Sequence, residues 1–494
     1  MKLSEYAELD ATELAALVRG GAVSPRELVE TALTAIQRTD KEIHAVVDYT
    51  YDYAMEQIKK GIDKNAPFCG VPFVLKDSGG VAAGIRATLG TRLSGGGVYA
   101  KRDSILFERM KRAGVIVVAT TATSEFCVDS STETLRHGPT KNPWNLSESA
   151  GGSSGGSAAL VAAGAVPMAH GSDGGGSIRI PAAMCGVVGF KPSRFRVPTG
   201  PSGWDPGGTV QFILSRTVRD SAAMLDAIEG PDPGYYGIAA PHDLLYTEAV
   251  RRDPRKLRIA YMTRTPYGKP FVSPECVEAV LSVVDILRAL GHTCVEAYPE
   301  ISEQYHDARV MYMNDGIVLE IQQMAEETGC PIDETTLEPL VYKTYLDALS
   351  RKGMEVFRAR RELARAGREM GRFFQSYDLL ISPTCGRIGR PLGTLNGVVN
   401  SEISASEWAR KRRDYACIAP LANVAGLPSI SLPLYMSDSG LPIGVEIDGA
   451  IDQDELVLQL SAQLERAAPW SERKPPIYVS EICLLYTSDA ADER

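Results

Sequence analysis

Behind Asp10 and Thr12, both placed as caps, the stretch DATELAALVRG (10–20) carries apolar residues at helical spacing. A second helix opens at Ser24-Pro25-Arg26-Glu27, with Ser24 as N-cap, Pro25 in the first helical position and Glu27 three residues past the cap. Residues 1–65 therefore read as an N-terminal helical segment. Short apolar runs follow at 71–76 (VPFVLK), 114–120 (GVIVVAT) and 165–171 (AVPMAHG), bounded by Gly or Pro and of the length of buried strands. Helical stretches at 104–114 and 157–165 separate them. The alternation predicts an α/β fold, a mixed β-sheet covered by helices on both faces.

The pattern changes between about 275 and 378. PECVEAVLSVVDILRALG (274–291) is periodic at helical spacing, and 354–377, rich in Arg and Glu, reads as a long exposed helix. Strand-like runs return at 379–384 (LLISPT) and 428–434 (PSISLPL). The expected organisation is one domain over 1–480. Its sheet core lies in 66–245 and 379–470, and a mainly helical insertion at 250–378 shapes the pocket. Residues 481–494 continue no pattern and read as a non-native tail.

Composition narrows the functional classes. Of 494 residues 44% are hydrophobic, which is ample for a core, and the formal net charge is −10. An acidic balance argues against nucleic acid or an anionic membrane as partner. No apolar run approaches the ~18 residues of a membrane span, and the acidic start lacks the pattern of a signal peptide. The nine cysteines are scattered without CxxC or Cys/His metal spacing. We expect a cytoplasmic protein with reduced thiols, no metal and no cofactor, as a monomer or homodimer.

Candidate chemistry concentrates in two Gly/Ser-rich stretches, GGSSGGS (151–157) and GSDGGGSIRIP (171–181). Each abuts a patterned apolar segment, unlike a disordered linker. Consecutive glycines let backbone N–H groups converge on one point, making a nest for an anion. A phosphate loop needs GxxxxGK[ST], and no Lys follows either stretch. An oxyanion nest needs a Ser beside it, and Ser177 follows three glycines directly. GGSSG also matches the GxSxG nucleophile elbow, but that mechanism requires a later acid and then a later His. Only His170, His242, His292 and His306 lie downstream of it. His170, ending a strand-like run, reads as structural. Another group must then take the serine proton, and Lys76, ending the apolar run VPFVLK, is a candidate.

The segment GGSSGGSAALVAAGAVPMAHGSDGGGSIRIPAAMCGVVGFKP (151–192) resembles the signature of the amidase signature family of serine hydrolases. The likeness extends along most of the chain. VPFVLKD matches the family's lysine strand, KNPWN (141–145) its lead-in to the first Gly/Ser loop, and PLANVAGLPSISLPLYMSDSGLPIGVEIDG (420–449) its closing strands. The resemblance implies the amidase signature fold, with Ser177 as nucleophile, Ser153 as bridging serine and Lys76 as base. It also implies an oxyanion hole from the N–H groups of Gly174, Gly175 and Gly176, and a non-prolyl cis peptide at Gly152–Ser153. Ser154, Asp173 and Arg179 would fix the loops around the serines. The chain departs from the family at Gly174, where Thr is frequent, and at Glu446, where Gln is usual.

A free lysine is protonated up to pH ~10, so Lys76 can act near neutrality only if burial lowers its pKa. Strand alternation turns the neighbouring Asp77 away from it. Trp204, Tyr305, Tyr312 and Cys385 are candidate linings of the acyl pocket. The implied activity is hydrolysis of small amides, anilides or amide oligomers, and of carbamates, which present the same carbonyl–nitrogen bond. The alternative is an amidotransferase A-type subunit releasing ammonia from glutamine in a complex. The chain lacks the basic GxEVKRR-type segment of those subunits, and its 354–371 stretch differs. A non-catalytic scaffold is disfavoured because all three catalytic side chains are present.

Overall fold

Both N-terminal helices start where their caps place them. The Asp10 carboxylate accepts Glu13 N–H at 2.9 Å while Glu13 accepts Asp10 N–H at 3.0 Å, opening a helix over Ala11–Arg19. Ser24 Oγ accepts Glu27 N–H at 3.2 Å with Pro25 in the first turn of the helix Pro25–Ile43. The computed structural model describes residues 1–78, 82–198, 208–235, 237–267 and 272–481.

An eleven-stranded mixed sheet forms the body of the protein. In chain order its strands are β1 (Val46–Tyr49), β2 (Pro72–Lys76), β3 (Ile116–Thr121), β4 (Met168–Asp173), β5 (Val188–Lys191) and β6 (Val210–Ser215). These are followed by β7 (Arg258–Tyr261), β8 (Thr293–Glu296), β9 (Leu379–Pro383), β10 (Ser429–Met436) and β11 (Pro442–Gly449). The spatial order is β1-β3-β2-β4-β6-β5-β10-β11-β9-β7-β8. Pairing is parallel for β2 with β3 and β4, and for β7 with β8 and β9; the other neighbours are antiparallel. Every residue of β2, β3 and β4 is buried, in keeping with the apolar runs of β2 and β3, whereas β4 turns polar at His170, Ser172 and Asp173.

The segment between 250 and 378 is mostly helical but also supplies β7 and β8, which extend the sheet by parallel pairing beyond β9. Each has four residues with polar, exposed ends (Arg258, Thr293 and Glu296), too short and too charged to stand out as strands. Its long helices are α1 (Pro274–Ala289), α2 (Gln304–Thr328), α3 (Pro339–Leu349) and α4 (Gly353–Phe373). α4 is amphipathic rather than fully exposed: Ala359, Glu362, Leu363, Ala366 and Met370 are buried at helical spacing. A satellite core joins α2 and α3 to the body through Leu93, Phe126, Ile317, Ile321, Leu340 and Trp408, and Trp408 belongs to α5 (Ala405–Ala416). That packing holds α2 over the ends of β2 and β4.

Candidate active site

Parallel pairing of β2 with β4 sets Val74 opposite Ala169, so the end of β2 runs beside Gly171 and Ser172. Lys76, 2% exposed, donates from Nζ to Ser153 Oγ at 2.7 Å and to Ser172 Oγ at 2.8 Å. Burial lowers the Lys76 pKa, with Cys127 and the Asp173 carboxylate pulling the other way. Asp77 turns to the opposite side and accepts Thr88 N–H at 2.6 Å and Thr88 Oγ1–H. Its burial pushes its carboxyl up to about 6 despite those hydrogen bonds.

The peptide bond Gly152–Ser153 is cis. Backbone crowding explains the glycine: a Cβ on Gly152 would lie 2.8 Å from Ser130 C and Ser131 N. Ser154 ties the two Gly/Ser loops together. Its N–H donates to Ser177 O at 3.2 Å, and its Oγ accepts Ser172 N–H at 3.3 Å. Ser177 is half-buried and lines a cavity together with Ser153, Ser172, Gly174 and Gly175.

Asp173 and Arg179 hold the Gly174–Ser177 loop from below. The Asp173 carboxylate accepts Gly176 N–H at 2.7 Å, Ile178 N–H at 3.1 Å, Arg179 Nη2 at 2.9 Å and Asn423 Nδ2 at 2.9 Å. Gly176 N–H is thus committed to Asp173, and Gly174 and Gly175 are the nest residues on the cavity side. Arg179 also reaches Glu446 Oε1 at 2.9 Å and Ser429 Oγ at 3.0 Å. Burial alone would raise Asp173, but Arg179, Lys191 and Asn423 outweigh it and hold the carboxyl well below the usual range. The result is a rigid charged base beneath a glycine loop, and a buried amine in contact with two hydroxyls. Such an arrangement can activate a hydroxyl and stabilise an oxyanion.

Residues 27–458 match the family model described as Amidase. The chain belongs to the Amidase family. Its named relatives include hydrolases of amide carbon–nitrogen bonds. This amidase is 36% identical over 479 residues to the 6-aminohexanoate-cyclic-dimer hydrolase of Pseudomonas sp. (strain NK87), covering 95% of this chain and 96% of that one. The structure of 6-aminohexanoate cyclic dimer hydrolase complexed with substrate superimposes with a TM-score of 0.88 at 35% identity, covering 95% of this chain and 99% of that one. A bacterial aryl acylamidase of the amidase signature enzymes follows at TM-score 0.84 and 29% identity, covering 94% and 97%.

The amidase's cavity lies between the Phe126–Ser130 loop and the helices α2 and α5. Phe126 and Cys127 both adopt positive φ, 48° and 58°, in the turn facing Lys76. The lining from α2 is a helical stripe of His306, Arg309, Val310, Met313, Asn314 and Ile317. Sequence reasoning singled out Tyr305 and Tyr312 on this helix instead. Tyr305 is buried against Tyr267, and Tyr312 lines an adjoining cavity that shares Gly174, Arg309 and Met313 with the main one. Cys385 packs with Ile180, Ala183, Met184 and Ala416 behind the loop. Trp204 lies outside the described residues.

Ser172 was missed, although its place on β4 beside the lysine strand is a signal that pairing could have exploited. His170 is buried and its Nε2 hydrogen-bonds Gln211 Oε1 at 3.1 Å. Burial and the nearby Lys76 lower it to about 3, which keeps it neutral. Glu446 stays out of the cavity and acts on Arg179. Gly174 lines the cavity, where a Cβ would fall 2.9 Å from Thr209 Oγ1. Among the described residues no group of three His, Cys, Asp or Glu side chains is disposed to hold a metal ion, and no helix is long and apolar enough to cross a membrane.

Proposed function

We propose that this amidase works through a Ser177–Ser153–Lys76 relay and an acyl-enzyme. Lys76 in its neutral form takes a proton from Ser153, which takes one from Ser177, and Ser177 Oγ bonds to the substrate carbonyl carbon. The oxyanion is met by the backbone N–H groups of Gly174 and Gly175. Collapse breaks the C–N bond, and the proton returns along the same relay to the leaving amine. Water, deprotonated by the relay, then cleaves the ester and restores Ser177.

The observation that carries this reading is the 2.7 Å contact from Lys76 Nζ to Ser153 Oγ in a buried site whose cavity also reaches Ser177. The names of its relatives point to amide oligomers and aryl amides as substrates. Carbamates belong to the same set because their carbonyl and nitrogen meet the nest identically. Cleavage there releases the amine and a carbonic half-ester. Eight free cysteines among the described residues support a reducing, cytoplasmic setting.

The test pairs labelling with turnover. A fluorophosphonate should modify Ser177 in the isolated chain, and Ser177→Ala and Lys76→Ala should each abolish hydrolysis of p-nitroanilides, cyclic amide oligomers and aryl carbamates. Robust turnover by either variant would refute the relay.

A further inference from the structure

The wall of the active-site cavity facing the nest is cationic. Arg309 of α2 packs its guanidinium directly over the loop: a Cβ on Gly175 would fall 2.0 Å from Arg309 Nη2. Arg412 and Arg413 enter the same cavity from α5. His306 lines the same cavity, and its Nε2 is buried without a hydrogen-bond partner among the described residues. Burial and then Arg309, Arg413 and Arg412 lower its pKa to about 3, so the imidazole adds no negative or compensating charge.

The acids around this wall are already engaged. Asp129 lies with Arg412 and Arg390 and accepts Ser130 N–H at 2.6 Å. Arg412 is further committed, stacking on Trp408 and donating to Val128 O. Glu320 of α2 is itself in an interaction and is not free. Asp173, whose charge Arg309 feels, is held by Arg179, Asn423 and backbone N–H groups. Arg309 and Arg413 each keep a buried Nε without a partner. Among the described residues no ion pair joins Arg309 or Arg413 to a carboxylate, and two such guanidiniums in the cavity of the nest are suited to a carboxylate on the ligand, because a buried cation is stabilised by a bidentate anion.

We infer that Arg309 and Arg413 bind a carboxylate on the acyl portion of the substrate, so that half-amides of dicarboxylic acids are preferred over neutral amides. The side of the molecule follows from where these groups stand. Lys76 Nζ, which must return a proton to the leaving amine, lies at the ends of β2 and β4 against Ser153 and Ser172, whereas Arg309 and Arg413 enter the cavity from α2 and α5. The amine therefore faces the sheet and the acyl chain faces α2 and α5. This inference rests on the proposed relay for the direction of the substrate.

The experiment compares glutaric acid mono-p-nitroanilide with its methyl ester, which differs by one charge. The unmodified amidase should show kcat/KM roughly ten- to hundredfold higher for the acid, as expected for charged hydrogen bonds. The ratio should collapse toward one in Arg309→Met and in Arg413→Met, and Arg309→Lys should recover part of it. No preference in the unmodified enzyme, or a preference that survives both Met variants, would overturn the inference. Calorimetric binding of both compounds to Ser177→Ala reads the same preference without turnover. A failed relay with intact anion preference, and an intact relay without it, are thereby distinct results.

Discussion

Asp77 follows Lys76 in the chain, yet its carboxylate accepts Thr88 N–H at 2.6 Å on the other side of the strand and leaves the lysine amine to Ser153 and Ser172. Strand geometry alone separates the two charges. Burial then governs Lys76 and lowers its pKa.

The consequence is a pH profile. Only neutral Lys76 can accept a proton, and its neutral fraction grows as pH rises through its folded-state pKa. kcat/KM should therefore rise with pH along an acid limb centred below the ~10.4 of a free lysine. Measuring kcat/KM for a p-nitroanilide from pH 5 to 10.5 checks it. A limb at 10.4 or above would mean that the amine is not desolvated during catalysis.

Ser172 gives Lys76 its second acceptor at 2.8 Å. Ser172→Ala should leave the fold intact, since the side chain is small, but free the amine to swing from Ser153. A lost hydrogen bond of about 1 kcal/mol corresponds to a kcat lower by roughly fivefold to tenfold. KM should change less than kcat, and the acid limb should shift. Unchanged kcat would show that Ser153 alone fixes the amine.

Much of the site was legible because its chemistry sits in two glycine-rich stretches whose residue types allow few alternatives. Ser153, Ser154, Asp173 and Ser177 could be found in those stretches and Lys76 at the end of an apolar run, as could the buried strands β2 and β3, which are mostly apolar, and β4 through the apolar run that leads into it. Ser172 was not legible, since its role depends on which strand pairs with which. The stripe of Arg309, Met313 and Ile317 on α2 was hidden for a similar reason: helical spacing marks a face, but not what that face covers. Strands β7 and β8 escaped because four-residue strands with charged ends carry almost no periodicity.

Gly152 and Gly175 should respond differently to a methyl group. At Gly152 the added Cβ meets backbone atoms of Ser130 and Ser131 at 2.8 Å, which cannot step aside. Gly152→Ala should cost about 1–3 kcal/mol of stability, visible as a lower Tm, and remove activity with it. At Gly175 the obstacle is the end of the Arg309 side chain, which can rotate. Gly175→Ala should keep its Tm within a few degrees while displacing the guanidinium, so its loss appears in kcat/KM. Equal Tm losses in the two variants would contradict this division.

Glu446 is fully buried beside Asp448 and Arg179. Burial raises its carboxyl to about 8; Arg179 opposes that shift and Asp448 adds to it. In the unfolded chain a glutamate titrates near ~4.3. A pKa raised by folding means that the native state holds the proton more tightly than the unfolded state. This contribution to stability is full below the unfolded value and is lost as pH rises through the folded one. Between pH 6 and pH 8.5 the unmodified protein should therefore lose on the order of 2 kcal/mol relative to Glu446→Gln. The variant keeps an acceptor for Arg179 without the titrating proton. Urea unfolding of both proteins at the two pH values isolates the difference, because the remaining titrating groups are common to both. Parallel pH dependence in the two proteins would show that Glu446 is ionised throughout, as the full counter-ion of Arg179.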